Sequence, residues 1–556
     1  MPAQLARLMS VAKGELPADL LLSNAKIINV FTGEIEDGNI AICGDRIAGV
    51  GDYHQAKEVV DVGGRYIAPG LINGHIHPES SMLDIGQYAR AVVPHGTTTL
   101  VTDLHEIANV CGVEGIKYVL ERARRLPFNL FLMAPSCVPA TNLETSGATL
   151  GPEEIRRILK WKECLGLGEV MNFPGVIGGD EAVLKKIALA KGKIIDGHAP
   201  GLTGKELSAY IAAGIYSDHE CVALDEAKEK LRQGMFIMLR EGSSEKNLEA
   251  LLPLVTDQSW QRCMFVVDDR TGADLLRDGD IDAVVRKAIR LGLEPVRAIQ
   301  LATINTAGYF RREGLGGIAP GYFADLIVLG DLPELQIDMV FYRGKLVAEG
   351  GKPLFSTPPA TDQSLTDSVN IKPFKIERLR LTPSGRAEPV IEVVPGQIIT
   401  RKRMEKISSV PDLERDILKL VVVERHRATG NIGVGLVGGF GLKRGALASS
   451  IAHDSHNIIA VGANDQDIFA AIKEIERLRG GLVAAGGGKI LASLALPVAG
   501  LLSDEPLETV VNKLERLERT AVELGARLPS PFAALSFLAL PVIPEIRLTD
   551  RGVVEL

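Results

Sequence analysis

Along the first part of the chain, short apolar runs such as Leu20-Leu21-Leu22, Ile27-Ile28 and Ile40-Ala41-Ile42 are cut by glycine and aspartate, among them Gly38, Gly44 and Asp45. Apolar runs between turn residues predict strands joined as hairpins, here the first half of a small β domain over 1–66. Between 67 and 313 the pattern changes. Runs such as Thr97-Thr98-Thr99-Leu100-Val101-Thr102 and Asn129-Leu130-Phe131-Leu132-Met133-Ala134 alternate with charged helical stretches, one of them near Gly115 to Arg125. Strand followed by helix, repeated along a segment of that length, predicts an α/β parallel barrel. Residues 314–350 return to short strands that can complete the first β unit, and 351–372, rich in Pro, Ser and Thr, read as a connector. Residues 373–556 mix strands with helices from Asp465 to Leu478 and from Leu507 to Leu524, which predicts a C-terminal α+β domain.

The first barrel strand ends in Gly74-His75-Ile76-His77. In a strand, residues i and i+2 share a face, so both imidazoles point the same way. Two neutral imidazoles at the end of a buried strand need an acceptor for their lone pairs, and a divalent cation is the usual one. Further acidic and imidazole groups recur where later apolar runs end: Asp103 with His105-Glu106, Glu169, His198, His219, and Asp268-Asp269. Active sites of parallel barrels are built at that end of the strands. Taken singly, a strand-end aspartate is most often a helix N-cap, the reading adopted for Asp103 and Asp196. Asp269 is served nearly as well by a salt bridge to Arg270 or a cap. His-x-His, Glu, His, His and Asp in chain order at successive strand ends are hard to explain as independent caps.

Composition narrows the class. With 556 residues the chain exceeds one hydrophobic core, and 46% apolar with 24% charged residues is ordinary for a soluble multidomain protein. A net charge of −8 argues against a nucleic-acid surface and leaves small polar partners open. No apolar stretch reaches the roughly 20 residues of a membrane helix, and no leader is evident at the start. The six cysteines (43, 111, 137, 164, 221, 263) form no C-x-x-C pair, so neither a disulfide framework nor a thiolate zinc site is expected, and a cytoplasmic location is. Gly433-Val434-Gly435-Leu436-Val437-Gly438 satisfies a dinucleotide fingerprint literally but lacks the βαβ context, and Gly486-Gly487-Gly488-Lys489 lacks the first glycine of a phosphate loop. Both are set aside, the first as a loop or bulged strand.

The series His75/His77, Glu169, His198, His219, Asp268 resembles the amidohydrolase superfamily, whose ligands sit on strands one, four, five, six and eight of a distorted TIM (β/α)8 barrel flanked by a split small β-sandwich domain. Gly74-His75-Ile76-His77-Pro78-Glu79-Ser80-Ser81-Met82, Asp103-Leu104-His105-Glu106-Ile107-Ala108-Asn109-Val110 and Val267-Asp268-Asp269-Arg270 look like the adenine deaminase family, and Ile451-Ala452-His453-Asp454-Ser455-His456-Asn457 extends the likeness toward the C-terminus. The resemblance implies two divalent metal ions, with His75, His77 and Asp268 on one, His198 and His219 on the other, and Glu169 bridging. Glu169 stands where many relatives carry a carbamylated lysine, which disfavours cyclic-amide hydrolases. The donor set lacks thiolate and suits manganese, iron or zinc; the family favours manganese or iron.

The implied reaction is hydrolytic deamination of adenine to hypoxanthine in purine salvage, with Asp268, Glu169 and His105 catalytic and Glu79, Ser80, Glu106 and Asp269 contacting substrate. His453, Asp454 and His456, at a spacing that fits one helical turn, are either a metal or substrate contact from the C-terminal domain or a polar loop packed on the barrel. A homo-oligomer, dimer or higher, is expected. The alternatives are a related deaminase or hydrolase acting on another ring, such as a modified purine, and a non-catalytic scaffold barrel.

Overall fold

The computed structural model describes residues 2–357, 365–395 and 397–556. Part of the connector expected over 351–372 lies outside the described residues. A helix at Pro2–Ala12, which the hydropathy pattern did not predict, precedes the first strand.

The two β-rich blocks build one sheet. Leu326–Asp331 pairs antiparallel with Tyr66–Pro69, placing Leu326 opposite Pro69 and Val328 opposite Ile67, so the return block completes the first in a nine-stranded sheet. Leu22, Ile40, Ile67, Val328 and Phe341 fill the core of this unit. That pairing also fixes where the first barrel strand begins, because Leu71–Asn73 follows Tyr66–Pro69 with only Gly70 between.

The barrel is parallel and split. Leu71–Asn73, Thr97–Thr102, Asn129–Ala134, Cys164–Val170 and Ile194–Gly197 form a five-stranded sheet, and Ser217–Asp218, Phe236–Arg240 and Cys263–Val266 form a three-stranded one. Beyond Cys263–Val266 the chain pairs Asp268 with Ile76 and Asp269 with His77 in parallel, which closes one seam. At the other seam side chains do the joining: Gly197 N donates to Ser217 Oγ at 3.3 Å and Ala199 N to Asp218 Oδ1 at 2.8 Å. The short, irregular strands at both seams are the ones that carry histidines. The helical stretch near Gly115 belongs to a longer helix, His105–Ala123, bent at Gly112, whose φ is +59°.

The C-terminal region is an eight-stranded sheet running from Thr400–Lys406 to Lys489–Ala495, with Asp465–Leu478 packed on it through Ile468, Ile472 and Ile475. Ile432–Gly438, the glycine-rich run set aside above, is a regular strand of this sheet. Helices Leu507–Glu523 and Pro531–Phe537 follow. The chain meets the barrel where Ser503 N donates to Met82 O at 2.8 Å and Asp84 N donates to Ser503 O at 3.2 Å. A second tie runs from Thr145, whose N and Oγ1 both donate to Asp550.

Candidate active site

All six expected metal ligands converge at the carboxyl ends of the barrel strands, and each of them except His198 is almost completely buried. His75 Nε2 lies 3.4 Å from Asp268 Oδ1 and 4.0 Å from Glu169 Oε1, while His77 Nε2 lies 3.2 Å from the same Asp268 oxygen and 3.6 Å from Glu169 Oε1. On the other side His198 Nδ1 is 2.5 Å and His219 Nε2 3.1 Å from Glu169 Oε2. Glu169 thus turns one oxygen to each pair of histidines, the arrangement a bridging carboxylate needs.

An imidazole nitrogen and a carboxylate oxygen each held about 2.0–2.2 Å from one ion sit roughly 3–3.5 Å apart. The separations above fall near that range. His75 Nε2 is buried without a hydrogen-bond partner among the described residues, a cost the protein accepts only where something else takes the lone pair. The residues therefore fit divalent cations.

The surroundings orient these ligands. Asp103 accepts from the N–H of His105, the first residue of its helix, at 3.2 Å, as a cap would, but it does more than its sequence position suggested. Its carboxylate meets His105 Nδ1 at 3.0 Å, accepts from Glu169 N at 3.1 Å and lies 3.3 Å from His77 Nδ1, so it fixes two rings and the bridging residue's backbone together. Asp196 is no cap, and accepts from Ser217 Oγ at 2.9 Å and Tyr309 OH at 2.5 Å across the open seam. Asp268 has φ +69°, a region L-residues seldom occupy, and its N donates to His75 O at 2.9 Å. Such strain persists where the surrounding structure over-determines it, and it collects at functional sites.

Burial alone would raise the carboxyls. For Glu169 the neighbouring His198 and His219 outweigh burial and hold it well below the carboxylate range. For Asp268 the adjacent rings of His75 and His77 and the charge of Arg240 do the same.

Two further residues were not singled out from sequence. Arg240 ends the strand Phe236–Arg240 and donates to Asp268 Oδ2 at 2.7 Å and, more closely, to Glu220. Glu220 in turn lies 3.5 Å from His219 Nε2. An arginine closing a buried strand was the available signal.

Beside the ligands opens a cavity of about 480 Å³, lined on the barrel side by Glu79, Ser80, Glu106 and Asp269 and opposite by His453 and His456. Asp269 accepts from Ser80 Oγ and makes neither the Arg270 salt bridge nor the cap considered for it; Arg270 lies 3.9 Å from Asp278 instead. Glu79 Oε1 accepts from Ile107 N at 3.3 Å, and its Oε2 is buried with no partner, a condition that pushes this carboxyl up to about 7. His453 and His456 do not share a helical turn, since 451–457 is a run of turns in which His456 has φ +56°. Their rings nonetheless meet on Glu106.

A split parallel barrel whose strand ends converge four histidines, a bridging glutamate and an aspartate defines a metal-dependent hydrolase, and residues 66–347 match the amidohydrolase family. Residues 396–556 match the adenine deaminase C-terminal domain. Adenine deaminase of Dehalococcoides mccartyi is 61% identical over all of this chain and 98% of its own length, and adenine deaminase 2 of Carboxydothermus hydrogenoformans is 49% identical over 99% of this chain and 97% of its own. A solved β-aspartyl dipeptidase of Fervidobacterium islandicum is similar over 61% of this chain and 99% of its own, at 16% identity and a TM-score of 0.46. The chain belongs to the adenine deaminase family.

Proposed function

We propose that this chain deaminates free adenine hydrolytically, giving hypoxanthine and ammonia in purine salvage. The observation that carries the reading is a cavity lined by Glu79, Ser80, Glu106 and Asp269 beside histidines and carboxylates that converge on Glu169, in a chain similar over its whole length to adenine deaminases. When bound, divalent cations lower the pKa of water toward neutrality and supply the nucleophile. His75, His77 and Asp268 would hold one, His198 and His219 the other, and Glu169 both.

The protein's own groups then handle protons. Asp268, kept ionised, takes the proton of the attacking water and passes it to the departing amine. Glu79, half protonated near neutrality and with one free oxygen, offers a proton to ring nitrogen N1, which makes C6 electrophilic. His105, oriented by Asp103, stands edge-on to His77 with ring centroids 4.6 Å apart, within reach of both the reacting centre and Glu106. Ser80 and Asp269, already bonded to each other, and Glu106 contact the ring edges.

The donor set of nitrogen and oxygen suits manganese, iron or zinc alike, and the family resemblance favours manganese. Six free cysteines suit the cytoplasm, and a homo-oligomer is the expected assembly. The test is ammonia release from adenine by manganese-loaded protein, beside adenosine, guanine and cytosine. Release from adenine alone supports the reading; silence on adenine with metal bound overturns it.

A further inference from the structure

The Glu106–His453–His456 cluster has the composition of a third metal site, but its hydrogen bonds assign it otherwise. His456 Nδ1 accepts from Ala452 N at 3.3 Å. A neutral imidazole that accepts at Nδ1 carries its proton on Nε2. That proton is donated to Glu106 Oε2, so no lone pair is left there for a cation. His453 Nδ1 donates to Glu106 Oε1 at 2.8 Å, and its ring is stacked on Phe537 with centroids 4.5 Å apart and an interplanar angle of 17°. One of its ring faces and one nitrogen are thereby committed to orientation. Nε2, without a partner among the described residues, is the polar atom His453 has left for the cavity wall. Burial would strip the second proton from this ring, but the carboxylates of Glu106, Asp269 and Asp454 outweigh it and push His453 up to about 9.

A purine whose C6 faces the metal ligands turns its N3/N9 edge the opposite way, toward the wall supplied by the C-terminal domain. In free adenine that edge offers a donor, N9–H, beside an acceptor, N3. A carboxylate oxygen beside an imidazole N–H is its complement. We propose that Glu106 and His453 form an acceptor–donor pair across the domain boundary that reads the N9–H/N3 edge and so selects the free base over N9-substituted nucleosides. This inference rests on the adenine reading above. It makes the C-terminal domain part of the substrate site, with His456 acting through Glu106 as a positioning residue.

The test uses the metal-loaded full chain. kcat and KM for adenine, and inhibition constants for 3-deazaadenine and 9-methyladenine, are measured in the wild type, His453→Ala and His453→Gln. Comparing each analogue between wild type and variant cancels the intrinsic chemistry of the analogue. In His453→Ala the KM for adenine should rise about tenfold or more with a smaller change in kcat, the mark of lost uniform binding. Its affinity for 3-deazaadenine should barely change, because that ligand lacks the acceptor. His453→Gln, which keeps a donor, should recover part of the loss. Metal content should equal that of the wild type in both variants. Equal losses for adenine and 3-deazaadenine, or loss of one metal equivalent in either variant, would overturn the assignment. Wild type silent on adenine fails the functional reading itself, a distinct result from wild type active with discrimination unchanged in the variants.

Discussion

Two clusters of histidine and carboxylate stand at the mouth of one barrel, and by residue type they are nearly alike. Around Glu169, four imidazoles crowd two carboxylates and His75 Nε2 has no hydrogen-bond partner among the described residues. Around Glu106, the Nδ1 proton of His453 and the Nε2 proton of His456 each end on a carboxylate oxygen, and the second nitrogen of His456 is satisfied by a backbone N–H. The lesson is that donor type and proximity do not identify a metal site. What separates the two clusters is the backbone N–H that His456 Nδ1 accepts, which puts that ring's proton on Nε2, whereas no such bond among the described residues fixes the proton of His198 Nδ1 beside Glu169.

Removing the cations tests the difference most severely. Chelation should abolish ammonia release, and titrating manganese back should restore it at about two equivalents per chain. A requirement for a third would give the Glu106 cluster a cation and break the contrast. Next in size, Asp268→Asn at saturating metal should lower kcat by about 10²–10⁴-fold; a near-wild-type rate with metal bound would remove Asp268 from the proton path.

A pair of stability variants sharpens the contrast further. Lys230 is fully buried, 3.0 Å from Asp218 and donating to Ala199 O at 2.6 Å, beneath the strand ends that carry His198 and His219. Arg425 is fully buried too, but it forms no ion pair among the described residues. It donates to the carbonyls of Ser368 at 3.1 Å, Ala499 at 3.1 Å and His456, and so holds the turn that presents His453. Lys230→Met and Arg425→Met should each cost about 3–5 kcal/mol in urea unfolding, from a stranded charge in one and stranded carbonyls in the other. Lys230→Met should also weaken metal retention, whereas Arg425→Met should raise the KM for adenine with metal content intact. The opposite pattern would mean the two clusters are mechanically one.

The smallest effect lies outside both clusters. His95 Nδ1 sits 3.1 Å from Asp282 Oδ2; burial would lower His95, but the Asp282 bond and charge outweigh it and raise it above 6.5, and Asp282 is held below its usual range by His95 and Arg286 against the pull of burial. A raised histidine contributes stability in full below its unfolded pKa of about 6.5 and loses it as pH climbs through the folded value. The urea midpoint of wild type should therefore exceed that of His95→Gln by about 1 kcal/mol near pH 6, and the gap should close toward pH 9. A gap that widens with pH would reverse the assignment of charge.

Much of this contrast was legible in the sequence on the barrel side. A strand end is a local feature, and the spacing of His75 and His77 alone fixes their common face, so the ligand series could be read before any fold was known. Asp196 was misread as a cap, and Asp103 read as no more than one, because partners such as Ser217 and Tyr309 for the first and His77 and Glu169 for the second arrive from other strands and helices. The C-terminal histidines were visible as residues, but their meeting point was not. A run of turns with His456 in the left-handed region has no periodic signature, and the Glu106 they share lies 347 and 350 positions away. Nor could the pattern show that Arg240 would reach Asp268.

The tie between Thr145 and Asp550 spans 405 positions of the chain. Since a polypeptide is made from its N-terminus and folds in that order, this latch stays open until residue 550 has left the ribosome. The barrel, complete in sequence long before, spends the interval without the wall that His453 and His456 later add to its cavity.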